Sequence, residues 1–578
     1  MRKKLELTWF GKDAKSKLEP RILQADASLS HHANRRVSEN DVFDNYLIRG
    51  DNLLALKALE ADFAGKIKCV YIDPPFNTKQ AFEHYDDGVE HSLWLSLMRD
   101  RLEILFRLLS KEGSLFVHID DNELGYLIVI LDEIFGRSNR VGVITFKQSS
   151  ASGPKAVNPG LVTTNNYILY YVKDKSSWNP NKVFVPTGRD DRYSKFIDGF
   201  EDGHKKWKLI SLKEAFLRSA KLITWDDAKK KFLDKLEEKL SDFVLENAAR
   251  VVRTARVAAK DVNESARGAL ARSNEFPGEV QCSPREDKDD YYFLNGEQLI
   301  FYKSKTKIID GKTCTASPLT NLWDDLLSNN LHNEGGVSFP NGKKPEALIK
   351  RCLELSTEAG DLVLDSFGGS GTTAAVAHKM RRRWITVELG DHCNSHILPR
   401  LKRVVEGEDE SGITAAVGWE GGGGFRYYRL APSMLQQDRW GNWIINKEYN
   451  AEMLAAAICK LEGFTYAPND AHYWQHGYST EADFIYVTTQ TLNGDQLQAL
   501  SDEVGEGRSL LVCCAAYRGS ADRFANLTLK KIPKMVLSKC EWGHDDYSLN
   551  VENLPMQQKP KAEPPRQGGL FGNGEDRA

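Results

Sequence analysis

The sequence predicts an α/β protein built around a parallel sheet, and three observations predict it. Short apolar runs end in loops: Cys69 to Ile72, Ser114 to Ile119, Leu362 to Leu364, and Trp384 to Val387. They are apolar on successive residues rather than on alternate ones, which suits strands buried on both faces. Between them lie longer segments with leucines at helical spacing, such as Trp94 to Ser110. The chain is also large and ordinary in composition, with 578 residues, 41% hydrophobic and 28% charged. That accommodates roughly three to four globular domains.

Bulk properties exclude several classes. Net charge is −3, so any affinity for nucleic acid must come from local basic surface. No run approaches the ~20 apolar residues of a membrane span. The N-terminus lacks the apolar stretch of a signal peptide. The nine cysteines form no C-x-x-C pair, which fits reduced thiols in a cytoplasmic protein without a zinc site.

Taken in order, residues 1–36 read as an N-terminal extension of helix and loop. Tyr46 to Asp51 is a short strand ending in a turn, and Leu53, Leu54, Leu56 and Leu59 form a helix face. Asp51 suits the N-cap of that helix. The strand Cys69 to Ile72 runs into Asp73, Pro74, Pro75 and Phe76. Two consecutive prolines fix φ and remove two N–H donors, which frees nearby carbonyls to face a ligand. An acid, rigid carbonyls and an aromatic face within four residues suit a flat nucleobase with an exocyclic amine. Asp73 and the Pro74 carbonyl would accept the two amino hydrogens, and Phe76 would stack on the ring. The polar stretch Lys79 to Glu90 fits a loop over such a site. Asp120, Asp121 and Glu123 resemble a metal cluster but fit better as acids at a helix N-terminus. Val141 to Phe146 and Tyr167 to Val172 read as two closing strands.

From about residue 176 the strand–helix rhythm gives way to a charged segment. Arg250, Arg253, Arg256 and Lys260 recur at helical spacing and predict a basic helix face for phosphates. Tyr291 to Phe293 is either a second contact or a packed strand. Lys344 and Pro345 open a helix, with proline at its first position, that runs to about Thr357. A strand then ends at Asp365 and enters Phe367, Gly368, Gly369, Ser370, Gly371, Thr372 and Thr373. This is a glycine turn feeding a helix whose exposed N–H groups can meet a ligand. No lysine follows the last glycine, so a Walker-type phosphate site is excluded. The next apolar run ends in Glu388, about 20 residues on, where nucleoside-binding units carry a ribose acid. A glycine turn with a ribose acid and no phosphate lysine suits S-adenosylmethionine. Residues 406–430 read as a Gly-rich linker, 431–553 as a further α/β domain, and 554–578 as a disordered tail.

The order of these motifs resembles the β class of DNA amino-methyltransferases, with D-P-P-F first and F-G-G-S-G-T-T after a long insertion. The resemblance is closest to the modification subunits of type III restriction-modification systems. Arg49 to Leu53, Val117 to Glu123, Lys344 to Asp365 and Gly422 to Tyr427 also carry it. It implies a Rossmann-like methyltransferase fold in circular order. The catalytic half would occupy 37–175, a target-recognition insertion 176–335 and the cofactor half 336–405. It places Asp51 near the cofactor adenine, and Lys344 and Pro345 at its methionine end. It further implies methylation of adenine N6 in double-stranded DNA with base flipping in a bacterial cytoplasm, with cytosine N4 methylation or an orphan enzyme as alternatives. Implied partners are a second copy of the chain and a separate ATP-dependent restriction subunit. Gln567 to Phe571 resembles the peptides that bind the replication sliding clamp.

Overall fold

Ten strands form one sheet in the computed structural model, which describes residues 6–75, 87–150, 160–286, 288–326, 331–339 and 343–548. In chain order they are β1 Leu23–His32, β2 Asn45–Arg49, β3 Ile67–Ile72, β4 Leu109–Ile119, β5 Arg140–Lys147 and β6 Asn165–Val172. The last four are β7 Leu322–Trp323, β8 Leu362–Asp365, β9 Arg383–Glu388 and β10 Gly424–Leu430. The spatial order is β1-β10-β2-β9-β8-β3-β4-β6-β5-β7. From β10 to β4 neighbouring strands are parallel, and β6 then pairs antiparallel with both β4 and β5.

The central strands are buried along nearly their whole length because helices cover both faces. These helices are α1 Asn52–Phe63, α2 Asp87–Leu108, α3 Asp121–Leu131, α4 Glu346–Ser356, α5 Thr372–Lys379 and α6 Leu398–Glu406. Leu56, Ile72, Trp94, Met98, Leu105, Val117, Leu364 and Val387 belong to one core cluster. Each such side chain contributes about 1.5–3 kcal/mol when buried. Asp51 caps α1 by accepting from Leu54 N at 3.0 Å. Asp120 caps α3, with Asp121 and Glu123 in its first turn, so this acidic cluster sits at a helix start. Pro345 is the N-cap of α4 rather than its first helical residue.

Two expectations about the chain ends need correction. Residues 1–36, expected as helix and loop, hold no helix among the described residues 6–36, and β1 there is an edge strand paired antiparallel with β10. The span 406–430 is not a free linker, because β10 lies inside the sheet between β1 and β2. The glycines before β10 serve close packing. A Cβ on Gly422 would lie 2.6 Å from Asp41 Oδ2, and one on Gly423 would lie 2.5 Å from Val42 O.

The chain divides into two compact units. One comprises Met1–Asn179, Asn321–Ala415 and Trp419–Ala578, the other Pro180–Thr320 with Ala416–Gly418. The C-terminal part of the first unit has its own parallel strands, Asp483–Val487, Ser509–Cys514 and Leu527–Lys531. It contacts the rest of that unit through Glu19, which accepts from Met434 N at 2.8 Å.

The second unit holds a six-stranded antiparallel sheet. Helices Leu212–Ala220, Trp225–Phe232 and Leu236–Glu246 share a core with Phe196, Val251 and Tyr302. The predicted basic helix is absent. Val251–Arg256 is a strand paired with Glu297–Phe301, and Lys260 lies in a single 3-10 turn. Valines and threonine in V-V-R-T-A-R favour a pleated, half-buried surface over the helix that the arginine spacing suggested. Tyr291–Leu294 is likewise a packed strand. Among the described residues, no helix is long and apolar enough to cross a membrane.

Candidate active site

Three acids meet at the carboxyl ends of three adjacent parallel strands. Asp365 ends β8, Glu388 ends β9, and Asp73 directly follows β3. The crevice beyond such strand ends is where open α/β sheets bind ligands. Here it is a cavity of about 420 Å³, lined on one side by Asp73, Pro74, Pro75 and Lys344. Asp365, Phe367, Gly369, Thr372, Thr373 and Glu388 line the other. The structure thus brings the two predicted motifs, nearly three hundred residues apart in the chain, onto one cavity.

The glycine turn is held from inside. Asp365 accepts from Phe367 N at 2.9 Å. Glu388 accepts from Gly369 N at 2.7 Å and Gly390 N at 2.9 Å. A carboxylate with two such bonds keeps further acceptor sites free for a ligand hydroxyl. Gly369 adopts φ 52, and a Cβ there would meet only Phe367 O at 3.8 Å, so its cavity side is open. The residues present therefore fit a nucleoside-bearing ligand. Burial pushes the Asp365 carboxyl up to about 7, and the charges of Asp73 and Glu388 add to the effect.

Asp73 is arranged differently. Its Oδ2 lies 2.5 Å from Lys344 Nζ. Its Oδ1 is enclosed and has no hydrogen-bond partner among the described residues. Burial raises its pKa, and the Lys344 charge opposes that rise. Behind it, Tyr71 Oη lies 3.2 Å from His118 Nδ1, and His118 Nε2 lies 3.1 Å from Asn166 Nδ2. Burial holds His118 well below the usual imidazole range, with the Lys344 charge acting in the same direction, so this chain is neutral.

Several predicted positions fall elsewhere. Asp51 does not line the cavity. It is 1% exposed, and it accepts from Tyr547 N at 2.9 Å besides capping α1. Both oxygens are used internally, so the capping role accounts for it. Pro345 and Gly371 also lie outside the lining. Gly371 is the N-cap of α5 with φ 75, and a Cβ there would press on Ile397 at 2.9 Å. Phe76, residues 79–86 of the predicted loop, the 554–578 tail and Gln567 to Phe571 lie outside the described residues, whereas Asp87 to Glu90, expected as the end of that loop, open the helix Asp87–Leu108. Arg250, Arg253, Arg256 and Lys260 do not lie on one helix. Arg250 and Arg253 lie over the rings of Phe196 and Tyr193, and the Arg256 side chain is 94% exposed.

The remaining residues of the lining come partly from the predicted motifs (Tyr71, Gly368 and Ser370) and partly from positions that carried no local signal (Phe339 and Ile349). Trp94 Nε1 donates to Pro75 O at 3.0 Å and so fixes the proline loop, although its spacing marked it only as core. Beneath the glycine turn, Arg400 donates to Ser370 O, Thr372 Oγ1 and Glu346 Oε1 at 3.1, 2.8 and 2.8 Å. Lys379 pairs with Glu346 and Asp409 at 2.8 Å each.

The "Probable type III restriction-modification enzyme HindVI Mod subunit" of Haemophilus influenzae is 35% identical over 420 residues, covering 69% of this chain and 55% of the relative. The type III restriction-modification enzyme EcoP15I Mod subunit of Escherichia coli is 25% identical over 446 residues, covering 67% and 64%. The chain thus spans little more than half to two thirds of these relatives. A solved structure of PvuII DNA methyltransferase, titled cytosine-N4-specific, aligns at 14% identity and a TM-score of 0.30, covering 67% of this chain and 98% of that one. The family model described as DNA methylase matches residues 67–397. That span runs from the strand leading to Asp73, past the glycine turn and Glu388, and exceeds half of the sequence. The chain belongs to the N6/N4 DNA methylase family.

Proposed function

We propose that the chain transfers a methyl group from S-adenosylmethionine to the exocyclic N6 of adenine in double-stranded DNA. The observation that carries this reading is the enclosed, unpartnered Oδ1 of Asp73, which belongs to the same cavity as the glycine turn. Buried acceptors in folded proteins are nearly always satisfied, so an unsatisfied one on a residue that lines a cleft supports a ligand donor. Phe367, Gly369, Thr372, Thr373 and Glu388 would hold the cofactor, with Glu388 positioned for hydroxyl groups. When bound, the cofactor supplies an electrophilic sulfonium methyl.

The rest of the chemistry falls to the protein. The amine lone pair of adenine is delocalised into its ring. One amino hydrogen would be donated to Asp73 Oδ1 and the other to the Pro74 carbonyl, which accepts no hydrogen bond among the described residues. Both bonds would draw the nitrogen toward tetrahedral geometry and localise the pair for in-line attack on the methyl carbon, whose bond to sulfur would break. The methylated nitrogen would then release one amino proton, with Asp73 positioned to accept it. Positioning and electrostatics supply the rate, without a covalent enzyme intermediate. The base must leave the duplex stack to reach so enclosed a carboxylate. The names of the relatives, Mod subunits of type III restriction-modification enzymes, support a modification role beside a separate restriction subunit.

Long-read sequencing of plasmid DNA from a methyltransferase-free host tests this. Wild type should leave N6-methyladenine at one short motif, on one strand, and Asp73→Ala should leave none. A mark that persists in Asp73→Ala overturns the assignment. N4-methylcytosine in its place would move the target to cytosine.

A further inference from the structure

We infer that Lys344 positions the catalytic carboxylate, clamping one oxygen of Asp73 so that the other is presented to the target amine. This rests on the methyltransferase reading above, and it departs from the cofactor-lining role that family resemblance implies for Lys344.

Geometry carries the inference. Lys344 Nζ lies 2.5 Å from Asp73 Oδ2, with the two side chains 10% and 22% exposed, while Oδ1 stays unpartnered among the described residues. A carboxylate held at one oxygen cannot swing both into a shared role, so the ion pair selects the oxygen that meets substrate. The lysine is itself aimed from both directions along the chain. It precedes Pro345, which confines its backbone to extended conformations. Glu346, immediately after, is fixed by Lys379 and Arg400. Lys343 cannot replace it, because its Nζ donates to the carbonyls of Glu334 and Val337.

The charges around Asp73 make the clamp necessary. Asp365 from β8 and Glu388 from β9 are acids, and Tyr71 from β3 and His118 from β4 are neutral. Lys344 is the one cation among the described residues that line the cavity. Burial disfavours an ionised Asp73. Lys344 counters it through its charge and its hydrogen bond, and only the ionised carboxylate is purely an acceptor.

The test is the pH dependence of methyl transfer from tritiated S-adenosylmethionine to unmethylated plasmid DNA, with cofactor KM read in parallel. Lys344→Met should lower kcat about tenfold or more and move the acid limb of kcat up by about one pH unit, the scale of one close charge pair. Cofactor KM should stay within about threefold of wild type. Lys344→Arg, which keeps the charge, should return the limb toward its wild-type position. An unmoved limb with a raised cofactor KM would assign Lys344 to the cofactor and overturn the clamp. So would a Lys344→Arg variant that melts like wild type yet keeps both the lowered kcat and the shifted limb of Lys344→Met. If wild type binds cofactor but labels no DNA, the methyltransferase reading itself fails, a result distinct from either of these.

Discussion

The two sides of the cavity handle their acids in opposite ways. On the glycine-turn side Asp365 and Glu388 are met by backbone amides of Phe367, Gly369 and Gly390, and the turn is braced from below by Arg400. On the proline side Asp73 has one oxygen on Lys344 and the other on nothing among the described residues. The first side is finished before a ligand arrives, whereas the second is left incomplete. A closed network rigidifies a binding surface, and an unsatisfied buried acceptor stores interaction for a substrate. The contrast separates residues that build the site from the residue that acts in it.

Stability measurements can break this contrast. Arg400 and Glu346 are both 0% exposed, and removing one partner of a buried pair costs about 3–5 kcal/mol. Arg400→Met should therefore lower the main melting transition markedly and loosen the turn that it braces. Asp73→Ala removes an acid already penalised by burial and relieves an unmet acceptor, although it leaves Lys344 with one partner fewer. The net change should be about 1 kcal/mol or less in either direction, even though transfer is lost. Calorimetric melting of the two variants checks this. If Asp73→Ala falls as far as Arg400→Met, Asp73 belongs to the scaffold and the contrast fails.

A pH titration sharpens the comparison on the glycine-turn side. Burial holds folded Asp365 at about 7, above its ordinary value of 3.8. The fold thus favours the protonated acid. Its stabilising contribution is complete below the unfolded value and is lost as pH rises through the folded one. Between about pH 4 and 7 the wild type should lose stability with rising pH. Asp365→Asn, which keeps an acceptor for Phe367 N, should lose less over the same window. Melting temperatures of both proteins across that range decide the point. Parallel curves would mean that Asp365 does not titrate there.

The catalytic and cofactor motifs were legible because their chemistry is local. D-P-P and the glycine turn are contiguous, and each follows an apolar run that marks a central strand. Glu388 was legible for the same reason, since strand length sets its place. The Arg400–Glu346–Lys379 network was not legible. Its members come from separate helices, and a charged residue within a helical pattern reads as surface until tertiary contacts are known. The Arg250 to Lys260 reading failed on a related ground. Charge spacing suggested a helix, but the adjacent valines pair in a sheet, and tertiary packing outweighs a periodicity of charges. The last misreading was β10. Glycines at 421–424 signal a linker in sequence, whereas here they let Asp41, Val42 and His32 approach the backbone.

The smallest expected effects lie within the glycine turn, where two neighbouring residues face opposite ways. A Cβ on Gly368 would lie 2.7 Å from Thr386 Cγ2 and 3.1 Å from Val387 O, against the sheet. A Cβ on Gly369 would meet nothing nearer than 3.8 Å. Gly368→Ala should therefore act chiefly on stability, by forcing β8 and β9 apart. Gly369→Ala should cost only about 1 kcal/mol, for holding a non-glycine residue at φ 52. Its methyl would instead occupy cavity space beside Glu388 and weaken S-adenosylmethionine binding by about tenfold, the scale of one lost close contact. Cofactor titration and melting of both variants give the comparison directly. A Gly369→Ala protein that binds cofactor as wild type would mean that the ligand does not approach the backbone here, and the turn would then be a structural element alone.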